Sequence, residues 1–514
     1  MYFGDWTARG ALYWPERVAV VDVARGAAGR FTYAALEARA NRLAAWLRDR
    51  AGVGRGARVG VLAHNGVEVL DALFACAKLG AVLVPYNWRL HPAELVGLID
   101  RTAPTALLYS GELAPLLVEG GRAAAPGARL LHLDGPGLPG SQDYQAALDA
   151  SPAAPISNPD FREEDVLCLL LTGGTTGLPR AARITYRQVA WNTFTTAIHE
   201  LRPGDVTITH TPMFHTGGLF VYTVPLFALG GRVVLMRRWD AAQALRLLAE
   251  EAVTVFFAVP TQYQQLLEAP GFAGADLSRL RVLTSGGAPL PAPLREAWQR
   301  VHRVPFKQGF GMTEFGPGVF SMEPTDAARK AGTVGRPNQF VEARLVDEAG
   351  REVGVDEVGE LWLRGPACCA GYEDVGAGGG PAADPQGWLH TGDLARRDAE
   401  GFFTVAGRRK DMFISGGENV YPLEIETALL AHPAVALAAV VGAPDPRWGE
   451  VGHAFVVARQ GEAPDGEALL AHLRGRLARY KVPRRVTVLA AMPLTAAGKI
   501  QKADLRRLAA EETP

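Results

Sequence analysis

Apolar runs and amphipathic stretches alternate along most of this 514-residue chain. Arg58-Val-Gly-Val-Leu62, Glu68 to Leu79, and Ala81-Val-Leu-Val84 read as strand, helix, strand, and the cycle recurs at Val253–Leu267 and Leu280–Val301. Strands that alternate with helices predict parallel sheets covered by helices. Val166 to Leu171, apolar throughout, predicts one more buried strand, which stops abruptly. Around 341–364 the pattern changes. Val341–Val346, a turn at Asp347-Glu-Ala-Gly350, and Gly359–Leu363 predict an antiparallel hairpin or a small barrel. The Gly-, Ala- and Pro-rich residues 375–387 read as a flexible surface loop. A boundary is expected at Gly407-Arg-Arg-Lys-Asp411, a charged stretch after strand-like Phe402–Val405 and before a new cycle of strands and helices. The expected fold is therefore α/β. A large domain, 1–409, has helix-covered sheets and a small β-barrel, and a small α+β domain, 410–514, follows it.

Composition adds limits. The chain is too long for one core. Its hydrophobic content of 48% and charged content of 21% are those of a globular protein. A formal net charge of −1 gives no electrostatic reason to expect nucleic acid or an acidic membrane as partner. No stretch has the length of a membrane span, and Met1 to Tyr13 lacks a basic region followed by an apolar core, so no integral membrane segment or secretory leader is expected. Cys76 and Cys168 lie in apolar runs, and Cys368-Cys369 are neighbours, an awkward geometry for a disulfide, so a reducing cytoplasm fits. Lysine is scarce: only seven of the 53 basic residues are lysine, and the rest are arginine. Each surviving lysine is then a candidate for a role that needs a compact ammonium.

The abrupt end of the strand at Leu171 is followed by Thr172-Gly-Gly-Thr-Thr-Gly177, then Pro179 and Arg180. Glycines let successive backbone N–H groups face one anion, threonine hydroxyls add donors, and Arg180 adds charge, so the stretch suits a phosphate cradle. It lacks the Gly-Lys-Ser/Thr ending of the P-loop. Alone, it leaves a Gly/Thr surface loop open as the second reading. Other segments join it: Thr211-Pro-Met-Phe-His-Thr-Gly-Gly218, Ser285-Gly-Gly-Ala-Pro289, Gln308-Gly-Phe-Gly-Met-Thr-Glu314, Thr391-Gly-Asp393, Arg408, Ser415-Gly-Gly-Glu-Asn419, and Pro493-Leu-Thr-Ala-Ala-Gly-Lys-Ile500.

In order and approximate spacing these segments resemble the adenylate-forming superfamily, which includes acyl-CoA synthetases, luciferases and peptide-synthetase adenylation domains. The resemblance spans nearly the whole chain. Phe214–Gly218 and Gly407–Glu424 look most like acyl-CoA synthetases. It implies a mobile C-terminal domain, ATP, Mg²⁺ and coenzyme A, and a two-step reaction. A carboxylate attacks the α-phosphorus of ATP and expels pyrophosphate, and the coenzyme A thiol then displaces AMP. Two anions must meet in the first step, so catalysis should rest on charge neutralisation and positioning.

The resemblance assigns roles residue by residue. Thr172, Gly173, Gly174, Thr175, Thr176, Gly177 and Arg180 would hold the β- and γ-phosphates. Glu314 is a hard oxygen ligand for Mg²⁺, with Thr313 donating to the α-phosphate. Gly287, Ala288, Pro289, Gly309, Phe310 and Gly311 would surround the nucleotide, where Phe310 either stacks on adenine or serves as a core aromatic. Asp393 and Arg408 would take the ribose. Lys499 would bridge the attacking carboxylate and the α-phosphate. Lys410 falls at the hinge position, and Gly416, Gly417 and Glu418, near Trp448-Gly-Glu450, would help form the coenzyme A face. Two positions depart from the family pattern. Arg180 stands where lysine is usual, and Gly173 where serine is usual.

For the acid, His215 replaces the aspartate with which amino-acid-activating relatives pair the substrate ammonium, which argues against amino acids. Gly311 stands where acetyl-specific relatives place a tryptophan, so an acid longer than acetate is expected. Val259, Gly286, Gly309, Gly316 and Pro317 are expected as an apolar or small pocket wall. A medium- or long-chain fatty acid is the first expectation, and an aryl or arylpropenoic acid the alternative. Two other readings stay open: an enzyme that loads a separate carrier protein, and a non-catalytic nucleotide-binding homologue. A homodimer is also left open.

Overall fold

The computed structural model describes residues 4–119, 122–172, 180–376, 378–415, 418–494 and 500–511. It is a mixed α/β protein, with a large N-terminal domain and a small C-terminal one. The strand–helix–strand cycles appear as expected: Arg58–Leu62, helix Val67–Leu79 and Val82–Pro85 come in sequence. These strands sit in an eight-stranded sheet. Val82–Pro85, Arg58–Leu62, Ala106–Tyr109 and Arg129–His132 run parallel, and Val166–Thr172 joins Val82–Pro85 in the same sense. Arg180–Thr185 returns antiparallel to Val166–Thr172, and the two-residue strand Tyr372–Glu373 pairs beyond it. Strand residues such as Val59, Leu83, Ala106 and Leu107 are fully buried, as a sheet covered on both faces requires.

Two smaller parallel arrays complete the helix-covered part. Val206–Thr209, Arg232–Leu235 and Val18–Asp22 form one, edged by Arg30–Thr32. Val255–Ala258, Val282–Ser285 and Phe306–Gln308 form the other.

From residue 310 to residue 408 the pairing is antiparallel. Phe310–Gly311, Gly318–Ser321 and Arg336–Pro337 make one sheet, and Glu342–Val346, Gly359–Arg364, Leu389–Arg397 and Phe403–Arg408 make another. A bridge between Gly335 and Phe403 joins them, and both sheets pack on one core that includes Phe315, Phe320, Leu361 and Leu363. The turn at Asp347–Gly350 forms, with Gly350 at φ +76° and its N–H donating to the Asp347 carbonyl at 3.0 Å.

The last sheet has five strands: Glu418–Val420, Phe413–Ser415, Gly449–Ala458, Val435–Asp445, and Arg485–Leu489, which pairs with Gly449–Ala458. Two apolar clusters flank it. One holds Ile425, Leu429, Leu469 and Leu473 of the helices Pro422–Leu430 and Gly466–Arg474, and the other holds Leu505 and Ala509 of Lys502–Glu511. No described helix is long and apolar enough to cross a membrane.

Candidate active site

The glycine loop leaves one strand and returns on its neighbour. Thr172 and Arg180 are paired residues of the two strands, and the Thr172 hydroxyl donates to the Arg180 carbonyl at 3.2 Å. The candidate cradle residues Gly173, Gly174, Thr175, Thr176 and Gly177 lie outside the described residues, so the structure fixes the base of the loop. From that base, the Arg180 guanidinium carbon sits 3.4 Å from the centre of the Tyr372 ring. The Tyr372 hydroxyl donates to Glu314 Oε1 at 2.8 Å. Burial, and then the Glu314 carboxylate, push the Tyr372 phenol far above its ordinary range, so it stays a donor.

Glu314 is the middle of a single 3₁₀ turn, Thr313–Phe315. Fully buried Phe315 pins the turn, Cys369 N–H donates to the Glu314 carbonyl at 2.8 Å, and the Gln188 amide donates to the Thr313 carbonyl at 3.0 Å. Gly316 follows at φ +105°, a conformation that favours glycine. Among the described residues no group of three or more His, Cys, Asp or Glu could hold a metal ion. A lone carboxylate suits Mg²⁺ that arrives with a nucleotide, because that ion keeps waters and phosphate oxygens as its other ligands.

The segments Gly286–Pro289 and Gly309–Gly311 leave the carboxyl ends of adjacent parallel strands, where ligands of open α/β sheets bind. Gly309 N–H donates to the Ser285 carbonyl at 2.9 Å, and Leu290 N–H donates to Gln308 Oε1 at 2.8 Å, which ties the segments together. Gly287, at φ +80°, and Ala288 are exposed, while Pro289 is half-buried. Phe310 is half-buried and meets Phe320 edge-on at 5.8 Å, so part of its ring belongs to the core. Gly311 has a local reason to be glycine that differs from the one expected. A Cβ there would lie 2.1 Å from the Pro317 carbonyl oxygen, so the close approach of two backbone segments excludes a side chain.

Asp393 is 5% exposed, and Arg408 Nε reaches its carboxylate at 3.0 Å across a paired position of neighbouring strands. Asp393 N–H donates to Thr391 Oγ1, which donates to the Leu361 carbonyl. Lys410 follows directly, and burial, then Arg408, lower its pKa from the ordinary value. Glu418 is exposed and paired with Ser415 in the last sheet, and Trp448 is exposed nearby in sequence to Gly449, the strand partner of Ser415. Gly416, Gly417 and Lys499 lie outside the described residues.

His215 caps the short helix Thr216–Leu219, half-buried with its ring 4.6 Å from Phe214. Behind this segment lies a small void lined by Thr207, Thr209, Thr211, Tyr222 and Thr223 together with Ile208, Gly217, Val221 and Phe257. Gly286 abuts it, since a Cβ there would come within 2.9 Å of Phe257. Val259, Gly309, Gly316 and Pro317, expected as the pocket wall, do not line this void. Thr209 and Thr223 hydroxyls bond each other at 2.7 Å. The buried Thr207 hydroxyl has no partner. The Tyr222 hydroxyl bonds the Glu200 carboxylate and Thr284 Oγ1, and Glu200 pairs with buried Lys307 at 2.8 Å.

Tyr372 and these hydroxyls were missed in the sequence. Only Lys307 carried a signal, as one of few lysines.

Two known protein families match the chain: "AMP-binding enzyme" over residues 8–373 and "AMP-binding enzyme C-terminal domain" over 424–499. The chain is 39% identical to a feruloyl-CoA synthase of Amycolatopsis sp, covering 98% of both chains. It is 34% identical to the long-chain-fatty-acid–CoA ligase FadD13 of Mycobacterium tuberculosis, covering 93% of both. The crystal structure of the anthranilate CoA ligase AuaEII with anthranoyl-AMP superposes with a TM-score of 0.88 at 27% identity, covering 99% of this chain and 98% of that one.

Proposed function

The chain belongs to the AMP-binding enzyme family and is an AMP-forming acid–thiol ligase that uses ATP, Mg²⁺ and coenzyme A, and we propose that its acid is a compact aryl or arylpropenoic acid. The observation that carries the choice of acid is the void behind the helix Thr216–Leu219. It is small, and hydroxyls line much of it. An alkyl chain against the buried Thr207 hydroxyl would leave it without a partner, at about 1–3 kcal/mol. A ring with a polar substituent meets both demands. Feruloyl-CoA synthase and anthranilate CoA ligase among the relatives support the same class.

The site residues take these roles in the reading. The loop 172–180 grips the β- and γ-phosphates, with Arg180 as its cation. Glu314 holds Mg²⁺, which neutralises phosphate charge, and Thr313 donates to the α-phosphate. Gly287–Pro289 and Gly309–Gly311 border the adenine. Asp393, an acceptor already fixed by Arg408 and Thr391, takes the ribose hydroxyls. His215 flanks the carboxylate. Lys499 bridges that carboxylate and the α-phosphate as oxygen attacks phosphorus and pyrophosphate leaves. The domains divide at 409/410. The small one turns about Lys410 after adenylation, bringing Gly416, Gly417, Glu418 and Trp448 to coenzyme A, whose thiol expels AMP. Free cysteines at 76, 168, 368 and 369 support a reducing cytoplasm as its setting.

The test is pyrophosphate release with Mg·ATP, with and without coenzyme A, across acetate to palmitate plus benzoate and ferulate. The reading expects the largest kcat/KM with benzoate- or ferulate-type acids, and acyl-CoA only when coenzyme A is present. A preference for palmitate would overturn the aryl assignment in favour of a fatty acid, the second reading, which the likeness to FadD13 supports.

A further inference from the structure

One aromatic ring contacts two charged groups of opposite sign, one on its face and one at its hydroxyl. Arg180, at the end of the glycine loop, lies over one face of Tyr372 at 3.4 Å from the ring centre. The hydroxyl of the same ring donates to Glu314 at 2.8 Å. Tyr372 is 8% exposed, and its backbone is held on both sides. It pairs with Ala182 in the neighbouring strand and exchanges two hydrogen bonds with Gly380, at 2.7 and 3.0 Å. The ring therefore cannot easily move aside.

We propose that Tyr372 is a positioning residue that keeps Arg180 and Glu314 from pairing with each other, so that the guanidinium stays available to phosphate and the carboxylate to Mg²⁺. The inference rests on the roles given above to Arg180 and Glu314. A guanidinium and a carboxylate brought together form a two-pronged ion pair, the strongest contact either can make with a side chain. Such a pair would occupy both groups before the nucleotide arrived. The ring offers the guanidinium a weaker resting place. A cation–π contact contributes about 0.5–2 kcal/mol, so a phosphate can draw the arginine away. The single hydroxyl bond orients Glu314 through one oxygen and leaves its other lone pairs free for a cation. Donation to a carboxylate also leaves the ring richer in electrons, which strengthens its hold on the arginine. The arrangement suits arginine in particular: a planar guanidinium can lie flat on the ring, whereas the lysine usual at this position presents a compact ammonium.

The test is calorimetric titration of the full-length protein with Mg·ATP in the absence of acid. Mg²⁺ dependence of the rate is a second readout. Tyr372→Leu removes the spacer and should weaken Mg·ATP binding about ten-fold or more, the loss expected when a charged contact is diverted. Tyr372→Phe keeps the ring, so binding should stay within about three-fold, while the Mg²⁺ concentration for half-maximal rate rises as Glu314 loses its orienting bond. In Arg180→Ala the spacer has nothing to separate. Adding Tyr372→Leu should then cost no more than Arg180→Ala alone. If thermal melts show Tyr372→Leu unfolded, Tyr372→Met takes its place. Equal losses in the Leu and Phe variants, unchanged binding in Tyr372→Leu, or additive losses in the double variant would each overturn the proposal. The underlying assignment fails separately, if Arg180→Ala and Glu314→Gln themselves leave Mg·ATP binding unchanged.

Discussion

At the scale of single residues, chemistry was legible where a motif is contiguous, and hidden where a site is assembled from scattered positions. Glu314, Asp393 and Arg408 stand out because each lies in a short contiguous motif, although their partners in space, Tyr372 and Cys369 for Glu314 and Arg408 for Asp393, are distant in sequence. Thr207 gives no such signal, being one threonine in a buried strand. Its buried hydroxyl lines the cavity without a partner, which is the reason to expect it to read a polar group on the acid. Thr207→Val keeps the shape and removes the hydroxyl. Discrimination between an acid with a distal hydroxyl and its unsubstituted counterpart, as a ratio of kcat/KM, should fall about ten-fold. The variant should treat the unsubstituted acid much as the parent does, and an equal loss on both acids would show that Thr207 only supports packing. Lysine scarcity was a sound signal with a different meaning from the one expected. Lys78, Lys307, Lys330, Lys481 and Lys502 are each tied to one or two carboxylates, so their compact ammonium groups serve structure.

At the scale of elements, periodicity found the strand–helix cycles, because a buried parallel strand and an amphipathic helix each leave a run of several residues. It passed over Tyr372–Glu373, two residues long and set beside a Gly- and Ala-rich stretch, although that strand completes the largest sheet. The loop that follows Val206–Thr209 illustrates what tertiary packing adds. His210 is fully enclosed there. Its Nε2–H faces the Phe257 carbonyl at 2.9 Å, so Nδ1 must be the acceptor that faces the Gln262 amide at 3.2 Å. Both ring nitrogens are satisfied only in the neutral form. Burial accordingly lowers the His210 pKa to about 4, with the Phe257 bond pulling the other way. A histidine depressed on folding binds a proton more readily in the unfolded chain, where its pKa is about 6.5. Its contribution is fully present above that value and is lost as pH falls toward 4, by about 3 kcal/mol at the limit. Thermal unfolding from pH 7.5 to pH 5 should therefore show falling stability, and His210→Gln should lessen the slope. An unchanged slope would mean that other groups carry the acid sensitivity. The proposed hinge belongs to this scale as well. Lys410 directly follows the Asp393–Arg408 pairing and precedes the strand Phe413–Ser415. A proline there fixes φ, so Lys410→Pro should spare pyrophosphate release and stop acyl-CoA formation. Unchanged overall turnover would remove Lys410 from the hinge.

At the scale of the whole molecule, the two half-reactions make opposite demands. Adenylation needs a cation to neutralise two anions, and thioester formation needs that cation withdrawn and a thiol admitted. A small domain with its own apolar cores on both faces of one sheet can meet both demands by turning as a unit, which a loop could not. A formal net charge of only −1 gives the chain no overall attraction for an anionic nucleotide. The resulting prediction concerns Lys499, proposed as the bridging cation from its Pro-x-Thr-x-x-Gly-Lys setting and lying outside the described residues. Lys499→Ala should lower acid-dependent pyrophosphate release by about 100-fold or more, the usual cost of removing a group that stabilises transition-state charge. The same variant should still convert a synthetic acyl-adenylate and coenzyme A to acyl-CoA, as the proposed use of another face of the small domain for that step requires. Lys410→Pro should behave in reverse. Mixing the two variants then becomes the decisive measurement. One makes the adenylate and the other consumes it, so acyl-CoA should reappear slowly, at a rate limited by escape of the adenylate from the first enzyme. If Lys499→Ala loses both half-reactions, the two steps share one arrangement of the domains, and rotation about Lys410 is not needed to explain them.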